Sequence, residues 1–114
     1  LMAAEAANET GDIENALKYL ELVRAHARGA SSTILPEVTT EDQIELRAAI
    51  QRERRAELAL EPDRFYDLVR WGTAKDVLHA AGKTKYEDKH ALLPVPQTEI
   101  DKSNGVLKQN PNYQ

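Results

Sequence analysis

Over roughly its first eighty residues this chain places apolar side chains at helical spacing. Ile13, Ala16, Leu17, Leu20, Val23 and Ala27 recur at steps of three and four, which puts them on one face of a helix. Asp12 stands just ahead of them as an N-cap, because its carboxylate can accept from the free N–H groups of the first turn. Gly29 supplies the matching C-cap. Upstream, Leu1–Asn8 has helical composition and no capping residue before it, so it reads as the tail of a helix that began earlier. With the tight Thr10-Gly11 link, these two stretches predict a helical hairpin of tetratricopeptide type, which needs other structure to cover its apolar face.

Residues 29–39 have the composition of a loop. Thr40-Glu41-Asp42-Gln43 then has the spacing of a capping box, which predicts an N-cap at Thr40 and a long helix to about Leu60. Pro62 interrupts it, and Asp63 precedes a shorter helix through Trp71 with Phe65, Leu68 and Val69 on one face. Thr73–Ala81 forms a further short helix, broken by Gly82-Lys83-Thr84-Lys85. The pattern then changes. Leu92-Leu93-Pro94-Val95-Pro96 must be extended, since each residue before a proline is pushed out of the α region. Residues 97–101 allow one helical turn, and Asn104-Gly105 and Asn110-Pro111 are turn signals. The predicted fold is all-α: a tetratricopeptide-like hairpin, a long helix, shorter helices, and an extended C-terminal strap laid across a helical body.

Composition narrows the function classes. The 114 residues carry a net charge of −4 with no basic stripe, so no nucleic acid is implied as partner. No cysteine is present, which excludes thiolate nucleophiles, thiolate metal sites and disulfides. No apolar run approaches the ~20 residues needed to cross a bilayer. Neither a phosphate-cradling glycine loop nor a nucleophile-elbow serine occurs, and no cofactor is implied.

The chemistry that stands out is charged. On a helical wheel Leu46, Ala49, Ile50 and Leu60 share a face, and Glu53 and Glu57 fall within about 20° of its centre. A carboxylate there must neutralise or recruit a partner. Arg54 flanks it on the same helix, and Arg64, Asp67 and Arg70 stand at steps of three on the next. Guanidinium forks suit such packed acids, so these residues predict a structural ion network of Glu53, Arg54, Glu57, Arg64, Asp67 and Arg70. A glycosidase-like carboxylate pair is the competing reading, but it needs two acids in different environments, and the same arginines would hold both ionised. Glu-x-x-x-Glu lacks nearby histidine for a metal, because His26, His79 and His90 are scattered. No catalytic or metal residue is therefore expected. Tyr66 and Trp71 could stack on a sugar or base, but beside Phe65 and Leu68 they read as packing residues.

The ordered set "LRAAIQRERRAELALEPDRFYDLVRWG" (46–72), "LLPVPQTEI" (92–100) and "QNPNY" (109–113), preceded by "ALKYLELVRAHARG" (16–29), resembles the C-terminal portion of the SusD/RagB outer-membrane lipoproteins of Bacteroidetes. Pro62 stands where that family commonly has glycine, and Asn104-Gly105 and Asn110-Pro111-Asn112 vary its usual turns. The resemblance implies that 1–114 is a C-terminal segment of a longer surface lipoprotein. Such a protein binds oligosaccharide or another nutrient for a SusC-like TonB-dependent transporter and reaches the membrane only through a lipid anchor outside this segment. It implies no enzyme activity, and it assigns no ligand-binding residue here. A tetratricopeptide-type interaction module and, more remotely, a carboxylate-based glycoside hydrolase are the alternatives.

Overall fold

The computed structural model describes residues 1–31 and 33–113, and every element among them is helical, turn or loop. The chain forms two compact units, Leu1–Glu61 and Pro62–Gln114. The first contains α1 (Met2–Glu9), α2 (Ile13–Arg28) and α3 (Gln43–Glu57). The second contains α4 (Asp63–Arg70), α5 (Ala74–Ala80), a 3-10 turn (Asp88–Ala91) and α6 (Gln97–Lys102).

α1 and α2 form the expected hairpin, and its link has a definite geometry. The N–H groups of Gly11 and Asp12 donate back to the carbonyls of Asn8 (3.1 Å) and Ala7 (2.9 Å). That double return is a Schellman motif, and it requires the positive φ of +82° that Gly11 adopts. The Asp12 carboxylate then caps α2, accepting from the Asn15 N–H at 3.2 Å and from the Asn15 side chain at 2.8 Å. The chain can therefore reverse within three residues while its backbone groups stay satisfied.

The core of the first unit is Ala4, Ala16, Leu20, Leu46, Ala49 and Ile50. Leu20, Leu46 and Ile50 are fully buried, and each contributes about 1.5–3 kcal/mol. The three alanines let α1, α2 and α3 approach closely. A polar clasp joins the C-terminal end of α1 to the start of α3. The Asn8 side chain donates to the Gln43 carbonyl at 3.1 Å, and the Gln43 side chain donates to the Asn8 carbonyl at 2.5 Å. Arg47 on α3 grips Glu9 through two parallel bonds of 2.5 and 2.7 Å. These bonds hold the Glu9 carboxyl below its usual range.

Both ends of α3 differ from the sequence expectation. Asp42, not Thr40, is the N-cap, and its carboxylate accepts from the N–H groups of Ile44 (2.9 Å) and Glu45 (2.8 Å). Thr40 instead donates to the Glu45 carboxylate at 2.6 Å. Aspartate is at least as good a cap as threonine, and this frees Gln43 for its bond to Asn8. At the other end α3 stops at Glu57, and Leu60 has a φ of +72° and is fully exposed. Pro62 restricts Glu61 to non-helical conformations, so the chain turns early and Leu60 never reaches the apolar face.

In the second unit α4 ends at Gly72 through the same double return as α1: Gly72 N–H to Val69 and Thr73 N–H to Leu68, at 3.0 and 2.9 Å. The Leu92–Pro96 stretch is extended, as its prolines require. The strap is fixed by its own return. The Gln109 side chain accepts from the Val95 N–H at 2.8 Å and donates to the Val95 carbonyl at 2.9 Å. Asn110 donates to the Leu93 carbonyl (2.6 Å), and the Tyr113 hydroxyl donates to that of Leu92 (2.8 Å). Pro94 and Pro96 have no N–H, so Val95 carries the one donor between them, and a side-chain amide answers it as a neighbouring strand would.

Candidate functional site: the charged helix faces and the aromatic row

Glu53 lies on the buried face of α3, one turn beyond Ala49 and Ile50, with 7% of its side chain exposed. Its partner is Arg24 of α2, whose side chain is 13% exposed and whose Nη1 donates to Glu53 Oε2. Arg24 sits on α2 four residues after Leu20, in that helix's own apolar stripe. Two helices therefore present opposite charges at the same level of the core. Arg24 Nη2 also donates to the Pro36 carbonyl at 2.8 Å, and Arg28 Nε donates to that of Leu35 at 2.8 Å. Arg28 is held in turn by Glu21, at 2.7 and 3.2 Å. The Glu21, Arg24, Arg28 and Glu53 side chains thus anchor the loop between α2 and α3 as well as the helices.

Arg24 was not legible as the partner, because the expectation looked along α3 and forward to α4. The available signal was an arginine in line with Ala16 and Leu20 on α2. Glu57 also departs from expectation. It is exposed and makes no hydrogen bond or ion pair among the described residues. It is the last residue of α3, and the buried positions of that helix end at Arg54. A wheel position becomes a core position only where another element covers it.

Arg54 is buried and has its own interactions. On α4, Asp67 is buried and accepts from Arg70 Nε (2.9 Å) and Nη2 (2.8 Å). Arg70 also lies over the Trp71 ring, 4.9 Å from its centroid, and Arg64 lies 5.9 Å from the same ring. Trp71 is thus held by cations, an attraction to the ring's negative face.

An aromatic row runs through the second unit. Phe65 meets Tyr66 at 5.9 Å and Tyr86 at 6.1 Å, both edge-on. Tyr86 meets His90 at 5.8 Å, and His90 meets Tyr113 at 6.3 Å. His90 Nδ1 accepts from the Glu87 N–H at 2.9 Å, and His79 Nε2 donates to the Tyr86 carbonyl at 2.8 Å. These two histidines hold backbone in place, while His26 is exposed. Among the described residues no group of three or more His, Asp or Glu side chains could hold a metal ion. No helix among them is long and apolar enough to cross a membrane.

Chemically, the buried acids are committed. Glu53 faces Arg24, Asp67 faces Arg70, and Glu57 stands in solvent.

Comparison with known proteins gives a consistent answer. The profile of the SusD family matches residues 1–113. One SusD-like protein of Formosa agariphila is 36% identical over 114 residues, covering 95% of this chain and 21% of the relative. A second from the same organism is 34% identical over 120 residues, covering 99% of this chain and 24% of the relative. The chain therefore spans about a fifth to a quarter of the length of these relatives. No solved structure gives a significant match. The match along 1–113 places this chain in the SusD family.

Proposed function

We propose that this chain is part of a cell-surface nutrient-binding protein that captures glycans without cleaving them. Its cargo passes to a SusC-like TonB-dependent transporter in the outer membrane. Residues 1–114 are the C-terminal segment of that protein and serve mainly as its scaffold, with membrane attachment through a lipid anchor elsewhere. Membership of the SusD family supports surface glycan binding. The single observation that carries the non-enzymatic reading is Glu53. One of the two carboxylates of the competing glycosidase-like pair is spent on Arg24, between α2 and α3. The ion pairs Arg24–Glu53, Arg28–Glu21 and Arg70–Asp67 are struts in this reading, and so are the side-chain bonds of Gln109, Asn110 and Tyr113.

The test uses the intact protein containing this segment. It is titrated calorimetrically with a panel of neutral oligosaccharides, and the same mixtures are assayed for released reducing sugar. Saturable binding without release is the expected result. Sugar release that disappears in Glu53→Gln would overturn the reading, because that variant keeps the shape of the side chain and removes only its charge.

A further inference from the structure

We propose that Asn104 is a site of spontaneous covalent modification: deamidation through a succinimide closed by the backbone nitrogen of Gly105. The claim rests on how differently the structure treats the five asparagines of this chain. Asn8 is fully buried and donates to Gln43. Asn15 lies in α2 with its amide on the Asp12 carboxylate, at 2.8 Å. Asn110 donates to the Leu93 carbonyl and precedes Pro111, which has no N–H to form the attacking nitrogen. Asn112 is exposed, but Tyr113 follows it, a bulky residue whose N–H is turned back to the Asn110 carbonyl at 3.4 Å.

Asn104 combines exposure with a following glycine whose N–H is free to attack. It and Gly105 are both exposed. Neither the Asn104 side-chain amide nor the Gly105 N–H makes a hydrogen bond among the described residues. The two residues occupy the centre of a turn with φ of +51° and +85°, closed by the Val106 N–H to the Ser103 carbonyl at 3.2 Å. Glycine places no Cβ against the approaching amide, and nothing in the fold occupies the space where one would stand. The turn has only to open locally for the nitrogen to reach the side-chain carbonyl, an event of low free energy in an exposed segment.

The reaction balances without any co-reactant except water. The Gly105 nitrogen bonds to Asn104 Cγ, the Cγ–Nδ2 bond breaks, and ammonia leaves with the former amide proton. Water then opens the five-membered ring at either carbonyl, giving aspartate or isoaspartate and one additional negative charge. The isoaspartate route adds a carbon to the main chain between Ser103 and Val106. The Ser103 hydroxyl now accepts from the Leu107 N–H at 3.0 Å, and this register is lost with the turn. The return from α6 to the Gln109 clasp is then loosened.

The experiment incubates the folded chain at mildly alkaline pH and follows it by ion exchange, isoaspartate assay and peptide mass mapping. A parallel sample is held in urea. The expected result is conversion at Asn104 ahead of every other asparagine in the folded chain, with isoaspartate as the larger product. Gly105→Ala and, independently, Asn104→Gln convert several-fold more slowly. Three results would overturn the proposal: an intact Asn104 in the folded chain while the urea sample converts, earlier conversion at another asparagine, or an unchanged rate in both variants.

Discussion

Replacing Glu53 by alanine tests the strut reading most directly. The carboxylate is 7% exposed and its partner Arg24 is 13% exposed, so the charge left behind stays out of water. Breaking a buried pair from one side costs about 3–5 kcal/mol, because the surviving ion keeps its desolvation cost without its counterion. Arg24 retains one bond, Nη2 to the Pro36 carbonyl, while its buried Nε already has no partner. The retained bond places the cost at the lower end, about 3 kcal/mol. That is a large share of the ~5–15 kcal/mol that stabilises an ordinary domain. Glu57→Ala, four residues on, removes an exposed acid and shifts stability by less than about 0.5 kcal/mol. Urea unfolding followed by far-ultraviolet circular dichroism compares the two variants under identical conditions. The double variant Arg24→Met with Glu53→Leu recovers most of the loss, since both charges are gone together. Equal costs for Glu53→Ala and Glu57→Ala, or a cost below about 1 kcal/mol at Glu53, would show that the Arg24 pair is no strut.

Three further outcomes follow from local geometry. Asp42→Ala removes the true cap of α3 and costs about 1 kcal/mol, whereas Thr40→Ala costs clearly less; thermal melts of the two separate them. Gly72→Ala strains the positive φ that ends α4 without any steric clash, so it lowers stability by about 1–2 kcal/mol and leaves the helical signal of the native state unchanged. The Glu9 pair is acid-sensitive. Hydrogen bonds from Arg47 depress the Glu9 pKa in the folded state, so the contribution is present above the ordinary glutamate value and is lost as pH falls through the lower folded value. Both side chains are at least a third exposed, so solvent screens the effect, and Glu9→Gln flattens the acid limb of the stability profile only modestly.

The helices were legible because they rest on local signals. Asp12, Gly29, Pro62 and Gly82 punctuate the chain as the structure does, and the step-three-and-four pattern found α2 and the body of α3. The boundaries that slipped did so where two residues could do one job. Thr40 and Asp42 both qualify as caps, and only the bond from Gln43 to Asn8, 35 residues away, selects the later one. The charged stripe was half legible. A wheel could place Glu53 inward, but it could not say that α2 covers that level of α3 and leaves Glu57 uncovered. Arg24 could be placed in the α2 stripe, but not paired with Glu53, since partners 29 residues apart leave no spacing to read.

The strap makes the point from the other direction. "LLPVP" and "QNPNY" read as separate pieces of a signature, one extended by its prolines and one rich in turn residues. In the fold they are a single device. Two prolines strip the segment of donors and forbid helix, leaving the carbonyls of Leu92, Leu93 and Val95 in need of partners. Tyr113, Asn110 and Gln109 supply one donor each, and the Gln109 amide also accepts from Val95. Replacing Gln109 with glutamate would keep the acceptor and lose the donor, so its chemistry demands an amide at that position. A short extended segment with no strand beside it can thus be held by three side chains. Those residue types follow from what the prolines leave unsatisfied.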